Sequence, residues 1–379
     1  MLRPQSFNPR SLIPIGVVFF VIWLILQSCS VSSVSTKVIS GKHKILERNW
    51  SVLAKDSPLE GPSPDFKKPP GIRIVGLVFY GRRETVSVLD CYLQYRRQNV
   101  TFEWHDYSGA YGEIDPHSLY IKMDDDVVFI EDTAIPTLVE NKLEHPEYFL
   151  VSANVINQSP LAWVHRHLGA LRPYLPELSR PYPSQNFSQS QWRASHLPNW
   201  ETPPGLGPQG WTPDDNFNPP FEGHRWLPLA PGTQESPSVD TTPVHAIDYD
   251  YGRGWWWWPA GAQLHYSFLS RVEDRTLWRY KFRTWDYEYL RLGIQFVAIW
   301  GLDLIASKPI PADDEQHLSV VMPFLTKRHA VVDGRGLVAH YSFNLQHDGI
   351  SKTDILDRYR AFAKENICIQ GSSTETGLF

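Results

Sequence analysis

Cysteine is scarce. The 379-residue chain has three (Cys29, Cys91 and Cys368), too few for a disulfide scaffold. Cys29 borders an apolar N-terminal run, which leaves Cys91 and Cys368 as the only pair open to a lumenal domain. A basic excess is also missing. With 36 Lys and Arg against 41 Asp and Glu, a net charge of −5 and a pI near 6.3, the chain has no electrostatic footprint for nucleic acid. No apolar run reaches the roughly 20 unbroken residues of a full membrane span. Leu12 to Leu26 comes nearest, interrupted by Pro14 and Gly16, and Leu290 to Ile305 is broken by Arg291, Gln295, Gly301 and Asp303. The second run reads as a core strand plus a turn. A dense His/Asp cluster, as two-metal hydrolases require, is absent; His165-Arg166-His167 is the nearest approach.

Tryptophan and proline are plentiful, at 15 and 31. Trp and Tyr faces stack on sugar rings, and they also pack ordinary cores. Proline helps to divide the chain. Residues 1–11 form a short tail carrying Arg3 and Arg10, and 12–29 is a signal anchor, with a cleaved signal peptide as the alternative because Ser28, Ser30, Ser32 and Ser33 follow. Residues 30–70 are polar, hold five prolines from Pro58 onward, and read as a stem. Either N-terminal reading delivers the remainder to the secretory pathway. The sequons at Asn49, Asn99 and Asn186 are compatible with that. A folded domain spans 71–370, with a Pro/Trp-rich irregular insert at 173–243 and a flexible tail at 371–379. The insert is too long for a plain connection, so it is a lid, an acceptor surface or a surface elaboration.

Within the domain, Ile72 to Phe79 reads as a buried strand, followed by Tyr80-Gly81-Arg82-Arg83 and a helix from Glu84. Strand, glycine turn and helix is the geometry that sets nucleotide phosphates over a strand end. Arg82 and Arg83 are therefore candidate nucleotide ligands, or surface charges. Only about 25 residues then lead to Asp124, where a further strand–helix unit would take about 30. Either the half-sheet is trimmed or a segment is missing.

Asp124-Asp125-Asp126 lies between two apolar strands, Tyr120 to Met123 and Val127 to Ile130. An unpaired buried carboxylate costs several kcal/mol, so the triplet belongs at a strand end facing water, cations or a metal. An extended chain puts Asp124 and Asp126 on one face and Asp125 opposite. Downstream, Asp313-Asp314-Glu315 opens a helix, as a cap or as the home of a general base. Leu337 to Phe343 is a strand carrying His340, an imidazole able to join two carboxylates on Mn²⁺. Trp255 to Trp258 cannot all face inward, and they lead into a helix from Ala260 that continues to about Tyr280.

The ordered set of an acidic triplet after a strand, a late acidic helix start and a later histidine resembles glycosyltransferases of the GT-A fold. More narrowly, it resembles fungal membrane-anchored glycosyltransferase-like proteins. The resembling blocks are Tyr120–Ile130, Ala260–Leu269, Trp285–Gly301, Asp313–Leu318, and His340–Gln346 with Thr353–Tyr359. The resemblance implies an α/β fold, a Rossmann-like mixed sheet flanked by helices. It implies Asp124 and Asp126 at Mn²⁺ (or Mg²⁺) and the nucleotide-sugar with His340 as the third ligand, beside Asp125 as a donor-side or structural carboxylate; Arg82 and Arg83, read from the turn after the first strand, are the further nucleotide-sugar candidates. It places the base at Glu315 or Asp314, and Trp258, Gln263, His265 and Tyr266 at the acceptor or donor sugar. It implies a single-pass type II protein of the Golgi or ER membrane that moves a sugar to a glycan or glycoprotein. The rival readings are a metal-dependent phosphohydrolase and a non-catalytic glycan-binding relative.

Overall fold

Every position of Ile74–Tyr80 (β1) except Tyr80 is buried, so both faces of this strand are covered, as in the middle of an α/β sheet. In the computed structural model it is followed by Arg83–Tyr95 (α1), whose buried Thr85, Val88, Leu89, Tyr92 and Leu93 keep helical spacing. The structure describes residues 67–95, 101–106, 109, 111–180, 191–201, 212–229, 239–249 and 251–368. The apolar run at 12–29, the stem to residue 66, the three sequon asparagines and residues 369–379 lie outside them. Among the described residues no helix is long and apolar enough to cross a membrane.

Thr101–Asp106 (β2) lies parallel to one side of β1, and Leu119–Asp124 (β3) parallel to the other. Val127–Ile130 (β4), Ala134–Glu144 (α2), Leu150–Ile156 (β5) and Ser159–His167 (α3) follow. Next come Tyr174–Pro176 (β6), Trp226–Pro228 (β7), Gly252–Trp256 (α4), Trp258–Glu273 (α5) and Trp285–Asp286 (β8). Phe296–Trp300 (β9), Gly301–Ala306 (α6), Asp314–Gln316 (α7), a π-helix at His317–Val321 and Met322–Thr326 (α8) precede Ala330–His340 (β10), Asn344–Ile350 (α9) and Ile355–Asn366 (α10).

The eight-stranded sheet runs β2-β1-β3-β9-β5-β10-β4, with β8 also beside β10. Strands β1, β2, β3, β5 and β10 point one way, and β9, β8 and β4 oppose them. This is a mixed α/β sheet flanked by helices, compatible with a Rossmann-like fold.

In the short stretch before Asp124, strand β2 is present, and among the described residues between it and β3 (109 and 111–118) there is no helix. This connection runs close to α6: a Cβ on Gly301 would stand 1.9 Å from the Asp115 carbonyl oxygen, an approach only glycine permits. The Gly301 amide donates to the Ser118 carbonyl at 2.9 Å.

The insert is less irregular than its composition implies. Strands β6 and β7 form a separate two-stranded antiparallel sheet, and Trp192 and Trp226 are buried. Helix α5 stops at Glu273 rather than near Tyr280, and Arg275 there adopts a positive φ of 57°. A disulfide joins Cys91 on α1 to Cys368 beyond α10.

Candidate active site

The chain leaves β1 toward α1 and β2 on one side, then returns to place β3 on the other. In open α/β sheets ligands bind where the strand order reverses in this way, beyond the carboxyl ends of the strands. Those ends carry Tyr80-Gly81-Arg82 and Asp124-Asp125-Asp126. The parallel β10 brings His340 to the same edge, and the antiparallel β9 begins there after Ile294-Gln295. Two backbone bonds lock the triplet in place. The Asp124 amide donates to the Gln295 carbonyl at 2.9 Å, and the Tyr341 amide donates to the Asp126 carbonyl at 2.8 Å.

Strand β3 ends at Asp124, and Asp125-Asp126 form a turn before β4. The alternation expected of an extended chain therefore stops at Asp124, and Asp125 and Asp126 share one guanidinium. Arg82 Nε donates to Asp125 Oδ1 at 3.2 Å, and its Nη1 stands 2.7 Å from Asp126 Oδ2. The amides of Gly81, at 2.5 Å, and Arg82 both donate to Asp125 Oδ2. Lys122 Nζ stands 2.5 Å from Asp124 Oδ1 and donates to the Ile294 carbonyl at 2.9 Å. His340 Nε2 lies 3.2 Å from Asp126 Oδ2. Its Nδ1 donates to the Asn157 carbonyl at 3.3 Å, which fixes which ring nitrogen faces the carboxylate. Asn157, at a φ of 62°, is itself held by bonds from its Nδ2 to the Tyr341 carbonyl and Gln346 Oε1, both at 3.0 Å. Asparagine is among the few non-glycine residues that take that conformation readily.

Electrostatics separate the three carboxylates. Burial raises Asp124 to about 6, against the lowering effect of Lys122. Burial also raises Asp125, in spite of the donors from Arg82 and Gly81. Burial acts the same way on Asp126, but His340 and Arg82 outweigh it and hold this carboxyl below its ordinary value. His340 is raised: burial opposes its charge, and Asp126 more than offsets that.

A cleft of about 380 Å³ opens on this edge. Arg82, Asp124, Asp125, His340, Asp314 and Glu315 all line it, although they come from four separate stretches of sequence. Asp126 is fully buried behind it. Arg83 is exposed and lines none of it. At the far wall Asp313 caps its helix by accepting from the Gln316 amide at 3.0 Å. Arg291 donates to Asp313 (2.9 and 3.0 Å) and, through Nε, to Glu315 (2.6 Å). Asp314 accepts from the Tyr111 hydroxyl at 2.8 Å.

The aromatic helix start lies elsewhere. His265 is buried between the Tyr359 hydroxyl (2.9 Å) and the Tyr341 carbonyl (2.8 Å). Gln263 accepts from the Val244 amide and donates to Thr242 and to the Arg172 carbonyl. Tyr266 donates to Asp354. Trp258 stacks on Phe217 and packs so closely on Gly349 that a Cβ there would lie 2.0 Å from the indole. None of the four lines the cleft.

Three of the polar or aromatic lining residues, Lys122, Trp255 and Arg291, were not singled out as site residues. Lys122 was legible, since a strand puts it on the same face as Asp124 two residues on. Trp255, 40% exposed, is the member of the Trp run that faces the cleft. Nothing local in the sequence marks Arg291.

Whether the cluster fits a divalent cation turns on its donors. Carboxylates and imidazole suit Mn²⁺. Asp126 Oδ1 is buried with no hydrogen-bond partner among the described residues, which leaves an acceptor for a cation. Among the described residues, however, no three His, Cys, Asp or Glu side chains already stand as a ligand set; Arg82 and Lys122 hold the carboxylates instead. The donor set fits, with resident side-chain cations in place. No protein-family model, curated protein or solved structure matches the chain.

Proposed function

We propose that the protein is a metal-dependent glycosyltransferase of GT-A type, moving a sugar from a nucleotide-sugar to a glycan or glycoprotein acceptor. The observation that carries this reading is the gathering of Arg82, Asp124, Asp125, His340, Asp314 and Glu315 around one cleft at the switch point of the sheet. Asp124, Asp126 and His340 would hold Mn²⁺ or Mg²⁺. Such an ion would supply positive charge against the leaving diphosphate. Arg82 faces the same position and supplies a guanidinium for phosphate oxygens.

The acceptor hydroxyl needs a base on the opposite wall. Glu315 Oε1 is committed to the Arg291 guanidinium, so a substrate hydroxyl there must break a charged pair. Asp314 accepts from the Tyr111 hydroxyl, and we assign it as the base. In a single displacement the acceptor oxygen bonds to the sugar's anomeric carbon, the bond from that carbon to the diphosphate breaks, and the hydroxyl proton passes to Asp314. Trp255, exposed at the rim, offers a face for a sugar ring. The Cys91–Cys368 disulfide fits an oxidising compartment, which supports a lumenal domain in the secretory pathway, anchored by residues 12–29.

The test is nucleotide release from a panel of nucleotide-sugars with Mn²⁺, for the wild type and Asp314→Asn. Release by the wild type and its loss in the variant, with donor binding kept, supports the reading. Donor binding without release indicates a non-catalytic relative, phosphate release without sugar transfer a phosphohydrolase, and no binding of any donor overturns the proposal.

A further inference from the structure

Of the two side-chain cations at the Asp124–Asp126 turn, Lys122 is the one to which the transferase reading gives no task. Lys122 sits on β3 with its side chain only 3% exposed. Its ammonium meets Asp124 Oδ1, the Ile294 carbonyl and, at 4.7 Å, the face of the Phe79 ring. Asp124 is one of the carboxylates that a divalent cation would use. Two cations on one carboxylate repel strongly: unit charges 4 Å apart interact by about 4 kcal/mol at an effective dielectric of 20, and the ion carries two. A divalent ion on Asp124 is therefore weakened for as long as Lys122 stays beside it.

The two resident cations differ in freedom. Arg82 is pinned by Asp125, Asp126 and the Ser342 carbonyl, and its planar fork leaves little room to turn. Lys122 is a point charge on a flexible four-carbon stem, a form that suits phosphate oxygens. Its ammonium also donates to the Ile294 carbonyl, a neutral acceptor that a charged phosphate would outcompete.

We propose that Lys122 is a built-in counter-cation of Asp124, displaced when a divalent metal binds and then received by the donor's diphosphate. Metal and diphosphate would thereby promote each other's binding. The lysine keeps the carboxylate compensated while the cleft is empty, makes the metal site weak alone, and makes it strong once a diphosphate is present. Linkage requires the effect to be reciprocal. The proposal rests on the transferase reading, because it needs Asp124 to be a metal ligand.

The experiment measures Mn²⁺ binding to the full chain in detergent by the electron paramagnetic resonance signal of free Mn²⁺. Wild type, Lys122→Met and Lys122→Arg are compared, each with and without UDP or GDP. Without nucleotide, Lys122→Met should bind Mn²⁺ about tenfold more tightly than wild type, and Lys122→Arg should stay weak. Nucleotide should raise wild-type Mn²⁺ affinity about tenfold, within the usual range of coupling between sites, and should raise that of Lys122→Met far less. Lys122→Gln, which can still donate to the Ile294 carbonyl, replaces the methionine variant if that one fails to fold. Mn²⁺ binding equal or weaker in Lys122→Met, or wild-type binding indifferent to nucleotide, overturns the role of Lys122 and leaves the transferase reading standing. Absence of Mn²⁺ binding to the wild type in every condition overturns both.

Discussion

His340 and His265 carry the same ring, are almost equally buried and touch the same stretch of chain, yet they do opposite things. His340 ends β10 beside Asp126, and this carboxylate raises it in spite of burial. His265 lies on α5 between a phenol and a carbonyl, where burial drives it down to about 4. Burial alone therefore does not decide a buried histidine's charge; the charge partner beside the ring does.

The comparison can be broken in several ways. The largest effect should come from His340→Ala. We expect sugar transfer to fall at least ~100-fold, with a melting temperature less affected than that of His265→Ala. His265→Ala should do the reverse, costing about 2–4 kcal/mol in denaturant unfolding while activity per folded molecule is kept. Equal loss of activity in both would erase the distinction.

Acid should act through His265 as well. Its folded value is depressed to about 4 from an ordinary 6.5, so below pH 6.5 the unfolded chain binds a proton that the folded chain does not. Stability should fall as pH drops from 6.5 to 4, by on the order of 3 kcal/mol. His165, pushed by burial to about 3, extends the same trend to lower pH. Denaturant midpoints for His265→Gln between pH 7 and 4.5 should show a shallower slope than wild type, and an unchanged slope would reject the assignment.

Away from both histidines, Cys91→Ser should lower stability by about 2–5 kcal/mol without changing Mn²⁺ affinity. The smallest effect belongs to Trp255→Ala. With its ring 40% exposed, it should leave stability nearly intact and raise the acceptor KM by the equivalent of about 1 kcal/mol.

What the sequence disclosed follows from periodicity and charge. The burial of β1 and the amphipathic spacing of α1 were legible, because short-range patterns decide them. The acidic triplet pointed to a strand end, since three carboxylates have few other places to go. Its internal geometry was not legible. Whether the chain stays extended past Asp124 depends on β4 crossing to pair with β10, a contact more than 200 residues away in sequence. The same applies to Arg291, whose role arises only when Asp313 and Glu315 fold against it. In the aromatic run at 255–258 the rings part, as four consecutive Trp must. Trp258 fills space over Gly349, and only Trp255 reaches the cleft. Composition names the rings but not which way they face.

The central claim is that the Asp124–Asp126 turn, together with His340, makes a cation-assisted diphosphate site. Calorimetric titration of UDP and GDP into the wild type and Asp126→Asn, with and without Mn²⁺, tests it most directly. The account predicts nucleotide binding that depends on Mn²⁺ in the wild type and is lost in Asp126→Asn while the variant stays folded. Mn²⁺-independent binding that survives Asp126→Asn, or no binding of either nucleotide to the wild type, would contradict it.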